Sequence, residues 1–175
     1  MEYDPEKHHR PSVRLNGYDY AQPGAYFVTV CTRGRACLFG HVLNGEMHLN
    51  EAGEIVASVW DGLPDRFPGM EPDAFVVMPN HVHAIIVFVG AGLALPEGQG
   101  AASSAPTLAN VVRAFKSLSA IHVNRRLMRS GSLWHRSYYE HIVRTDAELT
   151  AIHEYIQANP ARWDDDENNP DFATQ

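Results

Sequence analysis

Along this 175-residue chain, apolar residues fall into alternating and helical patterns separated by turn formers. AYFVTVCT, residues 25–32, is rich in aromatic and β-branched side chains and predicts a strand. GRACLFG follows and could begin a second, short strand, after which EMHLN is expected to lead into a helix. Asn50 is the expected N-cap of that helix. Ile55, Val56, Val59, Trp60 and Leu63 recur at helical spacing, and Pro64 and Pro68 are expected to end it. DAFVVMPN and HVHAIIVFV read as two strand segments broken at Pro79-Asn80, since proline brings no ladder donor. Residues 108–129 carry Val111, Val112, Phe115, Leu118, Ile121 and Leu127 at helical spacing, and a short strand is expected near residues 138–143. Thr145, with Glu148 three residues on, has the signature of a capping box. The helix that it opens is expected to stop at about Asn159, because the residue before Pro160 is steered out of the helical region.

The order of these elements predicts an α+β fold, an antiparallel sheet with helices on one face. An extended arm is expected over residues 1–24, one domain over 25–163 with a flexible loop at 90–105, and an acidic mobile tail over 164–175. The loop is a run of Gly, Ala, Ser and Pro with Gln and Glu.

Within this pattern the stretch VVMPNHVHAIIVFV is unusual. Of the nine residues from Asn80 to Phe88, six are apolar, yet His81 and His83 sit among them. Side chains alternate faces along a strand, so the two imidazoles project to one side and Val82 and Ala84 to the other. Two imidazoles on one face could reach a single metal ion, or could simply be solvated. A metal site would need a further ligand, and the last helix offers one. Tyr155 and Asn159 are four residues apart and share a helix face. An amide oxygen at Asn159 would suit a hard ion such as Mg²⁺ or Mn²⁺, and Tyr155 could be a nucleophile. Equally, Tyr155 adjoins Leu149, Ile152 and Ile156 and could be core, and Asn159 is an ordinary helix-ending residue.

Composition narrows the class. Hydrophobic residues make up 45% of the chain, enough for a core, and no apolar run approaches the ~20 residues of a membrane helix. The polar start, MEYDPEKHHRPS, has no signal-peptide core, so a cytoplasmic protein with Cys31 and Cys37 reduced is expected. The net charge of -7 argues against a nucleic-acid partner until its distribution is considered. Residues 101–144 carry seven basic residues, Arg113, Lys116, Arg125, Arg126, Arg129, Arg136 and Arg144, and one acid, Glu140. That region is either a solvated basic face or a footprint for phosphates.

MPNHVHAIIV resembles the HUH motif (His, hydrophobic residue, His) of single-tyrosine transposases. RPSVRLNGYDYAQPGAYFVTVCTRGRACLFG resembles the amino-terminal part of REP-associated tyrosine transposases, and LWHRSYYEHIVRTDAELTAIHEYIQANP resembles their tyrosine helix. The three blocks together cover most of residues 10–163. The resemblance implies a ferredoxin-like antiparallel sheet of the HUH-endonuclease type. It implies metal ligands at His81, His83 and Asn159, with Mg²⁺ or Mn²⁺ as cofactor, and a nucleophile at Tyr155. Members of the wider group can have Gln where Asn159 stands. The implied reaction is cleavage and transfer of single-stranded DNA through a 5′-phosphotyrosine adduct, on hairpins of palindromic repeats. Arg113, Lys116, Arg125, Arg126 and Arg136, with Arg10 and Arg14 of the arm, are the expected DNA contacts. Relatives act as dimers or monomers, so a homodimer stays open. Two other functions also stay open: a metal-dependent hydrolase that uses water, and a nucleic-acid binder without catalysis.

Overall fold

The computed structural model describes residues 23–89 and 106–172. The expected arm over residues 1–24 (apart from its last two residues) and the loop at 90–105, with Arg10 and Arg14, lie outside the described residues. Among the described residues, six strands and four helices are formed: β1 (Gly24–Cys31), β2 (Gly40–Leu43), β3 (Glu46–Leu49), α1 (Glu51–Asp61), α2 (Leu63–Arg66), β4 (Met70–Val77), β5 (His81–Phe88), α3 (Leu108–Arg126), β6 (Tyr139–Val143) and α4 (Asp146–Ala158). Short 3₁₀ segments cover Arg33–Arg35 and Pro160–Asp165.

The main sheet has four antiparallel strands in the order β4-β5-β1-β6. With α1 and α3 as crossovers, this is the βαββαβ arrangement of a ferredoxin-like sheet. Apolar β5 is a central strand, buried along nearly its whole length. Proline in β4 is tolerated because β4 is the edge strand, and its pairing with β5 shifts register between Pro72 and Phe75. Pro79 and Asn80 form the β4–β5 turn, closed by Met78 N–H donating to the His81 carbonyl at 2.8 Å.

Alternation along the central strands builds two cores of unequal size. Tyr26, Val28 and Val30 of β1 and Val82, Ala84, Ile86 and Phe88 of β5 meet Val56, Val59 and Trp60 of α1 and Val111, Val112 and Phe115 of α3. The Trp60 and Phe75 rings stack there with centroids 4.6 Å apart, and Phe115 stands edge-on to both. On the opposite face, Phe27 and Ile85 pack against Ile156, with Leu149 and Ile152 beside them. The fold class is the expected one, but helices cover both faces. The apolar stripe of α4 is narrow, and the second face of β5 offers it Ile85 and Val87 before giving way to the histidines.

Two local expectations are refined. EMHLN does lead into a helix, with Asn50 as its cap, but Glu46–Leu49 also form β3, paired with β2 across a turn at Asn44-Gly45, where both residues have positive φ. Pro64 does not end α1, which stops at Asp61; it lies in the first turn of α2, where a missing N–H costs nothing. Both expected caps are present. Asn50 Oδ1 accepts from Gly53 N–H at 3.1 Å, and Thr145 Oγ1 accepts from Glu148 N–H at 3.1 Å. The Glu148 carboxylate, however, reaches back to Arg144 N–H at 2.7 Å and to His141 at 2.6 Å, not to Thr145.

Candidate metal centre and nucleophile

His81 and His83 sit at the start of β5 on the face that α4 covers. Their Nε2 atoms are 3.0 Å apart. Each ring is held through its other nitrogen: Asn80 Oδ1 lies 2.8 Å from His81 Nδ1, and Thr29 Oγ1 of β1 lies 2.8 Å from His83 Nδ1. Asn80 is itself fixed, since its Nδ2 donates to the carbonyls of Arg35 at 2.9 Å and Asn168 at 2.7 Å. With Nδ1–H of His81 bound to Asn80, the Nε2 lone pair is left facing inward. Phe27 stacks on His83 at 5.4 Å between centroids and limits its rotation.

α4 brings the tyrosine to this pair. The Tyr155 hydroxyl lies 3.3 Å from His83 Nε2, and its ring stands edge-on to Phe27. Tyr155 remains 39% exposed, whereas His81 and His83 are 0% and 2% exposed. One turn later, Asn159 is buried, and its Oδ1 has no hydrogen-bond partner.

The segment after α4 adds a residue that sequence reading missed. Asp166 lies at the site, with Oδ2 3.7 Å from His81 Nε2. Its other oxygen, Oδ1, accepts from the backbone and side-chain N–H groups of Asn168 at 2.7 and 3.0 Å. The segment is tied to the sheet end by Asn80 and by Arg35, which donates to the Glu167 carbonyl at 2.7 Å. Residues 164–172 are therefore not a tail standing clear of the domain. Asp166, Asn168 and Asn169 are buried, and Trp163 faces His81 at 6.0 Å between rings. The DDDENN run reads as solvated charge, but the Asn168 side chain donates to Asp166, the Asn169 side chain donates to the Trp163 carbonyl, and the Asn168 backbone carbonyl accepts from Asn80. No local signal in that acidic run sets Asp166 apart from its neighbours.

These surroundings set the charge states. Burial pushes His81 down to about 4, against the opposing pull of the Asp166 carboxylate and the Asn159 carboxamide, with Arg35 adding to the depression. Burial, then the neighbouring His81, holds His83 well below the usual 6.5. Both rings are neutral near pH 7, with lone pairs to offer. Burial raises the Tyr155 phenol, as do the Asp166 and Glu167 carboxylates, while Asn159 opposes them.

The residues fit a divalent cation. His81, His83 and Asp166 each offer a ligand atom, all within 4.8 Å of one another. Two buried oxygens there, Asn159 Oδ1 and Asp166 Oδ2, lack a hydrogen-bond donor. Leaving buried acceptors unmet costs about 1–3 kcal/mol each, a cost that a cation would remove. Two ligands at ~2.1 Å and at right angles on an octahedral ion stand about 3.0 Å apart, which is the observed imidazole separation.

Of the other candidates, Arg113, Lys116 and Arg136 line one cavity between α3 and residues 132–138, away from the histidine pair. Lys116 donates to the carbonyls of His135 and Arg136, and Arg126 pairs with Glu51 at 2.6 Å. Arg113, Arg125 and Arg136 are exposed. Of the rival tyrosines, Tyr139 lies edge-on to Phe27 at 6.3 Å, and Tyr138 lines a cavity beside α3. Cys31 and Cys37 are free thiols, not joined to each other. Among the described residues, no helix is long and apolar enough to cross a membrane.

Fold and site together define a class: an α+β protein whose ferredoxin-like sheet carries a histidine pair, with a tyrosine helix laid across it. No protein-family model matches the chain. It is 38% identical over 173 residues to an uncharacterized protein of Haemophilus influenzae, covering 94% of this chain and 96% of that one, and it belongs to the same family. It is also 24% identical over 149 residues to a second H. influenzae protein, provisionally named a REP-associated tyrosine transposase, covering 82% of this chain and 74% of that one. Among solved structures, a REP-associated tyrosine transposase bound to a REP hairpin shares the fold, with a TM-score of 0.55 and 23% identity over 85% of this chain and 73% of the other. The chain is thus similar to the REP-associated tyrosine transposases in sequence and in fold.

Proposed function

We propose that this protein cleaves and rejoins single-stranded DNA by metal-dependent transesterification, with Tyr155 as nucleophile and hairpin or palindromic repeat DNA as substrate. The observation that carries the reading is the meeting of a partly exposed phenol with the buried imidazole pair, at 3.3 Å. The hairpin on the solved relative supports the substrate class. His81, His83 and Asn159 would hold Mg²⁺ or Mn²⁺, and Asp166 joins them as a fourth donor. A bound ion would supply polarisation of the scissile phosphate and neutralise its charge.

The remaining steps belong to the chain. The Tyr155 oxygen attacks phosphorus in line and loses its proton. The 3′-oxygen leaves and takes up a proton, giving a 5′-phosphotyrosine and a free 3′-OH. Attack on the adduct by another 3′-OH joins strands and returns the phenol. One phosphodiester is exchanged for another, so no nucleotide triphosphate is consumed. Asn159 and Phe27 orient the phenol, which is a large part of what such a reaction requires. Arg113, Lys116, Arg125, Arg126 and Arg136, with Arg10 and Arg14, would contact the DNA backbone, though Arg126 must exchange its Glu51 pairing to do so.

The test is incubation with hairpin single strands and Mn²⁺, followed by a denaturing gel. A covalent protein–DNA band is expected, lost in Tyr155→Phe and in His81→Ala. Turnover without any covalent band, indifferent to Tyr155→Phe, would instead identify a hydrolase using water. Binding that survives chelation, with no cleavage, would identify a non-catalytic binder.

A further inference from the structure

The β2–β3 hairpin carries a second pair of imidazoles, on its outward face and outside the site under α4. His41 and His48 are directly opposed in the hairpin register. Their rings stand nearly parallel, with 16° between planes and 5.5 Å between centroids. Both residues are exposed, and among the described residues neither ring has a hydrogen-bond partner. Nothing in the proposed strand transfer uses them.

The backbone holds this pair in place. The tight turn at Asn44-Gly45 sets which residues face each other across the hairpin. Alternation puts His41, Leu43, Glu46 and His48 on one face and Val42 and Met47 on the other. Met47 packs against the main core, so a one-residue slip of β3 would expose it and turn His48 inward. The base of the hairpin is tied down as well. Phe39 N–H donates to the Pro79 carbonyl and Asn50 N–H to the Phe39 carbonyl, each at 3.0 Å. The two rings are therefore side by side before any ligand arrives, which lowers the ordering cost of binding.

Two neighbouring imidazoles suit a divalent ion of the zinc, nickel or copper class. Zn–N bonds of ~2.0–2.1 Å at tetrahedral angles put two ligand nitrogens about 3.4 Å apart, a separation that rotation about the side-chain bonds can reach. Glu46, two residues before His48 on the same face, offers a carboxylate to the same patch. We infer that His41 and His48 form a second metal site, for a borderline ion such as Zn²⁺, held by one nitrogen of each ring with Glu46 or water completing the sphere. It differs in kind from the centre under α4, where the oxygens of Asn159 and Asp166 accompany the imidazoles and suit a hard ion. An ion at the hairpin clips together two strands that form a sheet of their own. Gly45 at the hairpin tip lies against Ala161, at the start of the segment that leads to Asp166, so the clip also braces that segment.

The experiment adds Zn²⁺ to the full chain at neutral pH. It follows the ring C–H resonances of His41 and His48 by NMR and takes the stoichiometry from calorimetry. Both sets of resonances should shift together and saturate at micromolar Zn²⁺, while Mg²⁺ leaves them unmoved. The wild-type chain should take up one more Zn²⁺ than His41→Gln/His48→Gln, whose exposed side chains leave the fold intact. Loss of one ring, in His48→Gln alone, should weaken the hairpin ion about ten-fold or more, because the second nitrogen binds as part of a chelate. His81→Ala is expected to keep the hairpin ion. Equal stoichiometry in wild type and double variant, saturation only at millimolar Zn²⁺, resonances unmoved by Zn²⁺, or an equal response to Mg²⁺ overturns the inference. If the hairpin ion binds but no covalent DNA band ever forms, the strand-transfer reading falls and the hairpin site stands.

Discussion

The Tyr155 hydroxyl and His83 Nε2 lie 3.3 Å apart although 72 residues separate them in the chain. That distance places a phenol within reach of whatever the imidazole pair binds. Tyr155→Phe should therefore abolish the covalent DNA adduct, lowering the rate by about 10³-fold or more, as loss of a nucleophile does. Because the ring and its contacts with Phe27 are kept, the thermal melting temperature should be unchanged. Adduct yield on a denaturing gel and a melting curve check the two halves.

The two oxygens without donors make a separable claim about the cation. Asp166→Ala and Asn159→Ala should each weaken Mn²⁺ binding by about 10-fold or more, measured by calorimetry, and the apo protein should tolerate both changes. Unchanged affinity in both variants would place the ion elsewhere.

Asn80 is fully buried, holds the His81 ring and ties down the segment that carries Asp166. Asn80→Ala leaves two carbonyls and a ring nitrogen without partners in a buried place. It should cost about 1–3 kcal/mol in urea denaturation and weaken Mn²⁺ about 10- to 100-fold.

Glycine to alanine in a helix normally stabilises by about 1 kcal/mol. At Gly53 of α1 the sign should reverse. A Cβ there would lie 2.3 Å from the Phe39 carbonyl oxygen, and backbone cannot move aside cheaply. Chemical denaturation of Gly53→Ala should show a loss.

The start of α4 should respond to pH. Glu148 is held below its usual carboxylate value, first by the Arg144 N–H and then by the His141 side chain. A carboxylate depressed in the folded state stabilises above its unfolded value near 4.5, and that contribution disappears as pH falls through the folded value. Glu148→Gln should flatten this acid limb of the stability curve. Thr145→Ala should cost ~1 kcal/mol at any pH.

How far the sequence could be read depended on the range of each interaction. The His81–His83 alternation, the Asn50 and Thr145 caps and the Tyr155–Asn159 turn are local, and all are present, although Glu148 closes on Arg144 N–H and not on Thr145. The β2–β3 hairpin was also local, with Asn44-Gly45 as its signal, but the polar residues His41, Glu46 and His48 hid the strand pattern on either side. Asp166 was not legible, because nothing in an acidic run tells which carboxylate folds back. That is decided by Asn80 and Arg35, more than 80 residues away. The placement of α4 on the second face likewise depends on Phe27 and Ile85 lying side by side, which only the sheet register fixes.

The separation of the imidazole pair from the phenol has a temporal side. A ribosome adding about 5–20 residues per second makes β5 several seconds before Tyr155, which lies 72 positions after His83. During that interval the β1–β5 pair can already bring the two histidines together. Under the proposed function, a chain ended before α4 would carry the two histidines without Tyr155, Asn159 or Asp166, and so would have no nucleophile to offer.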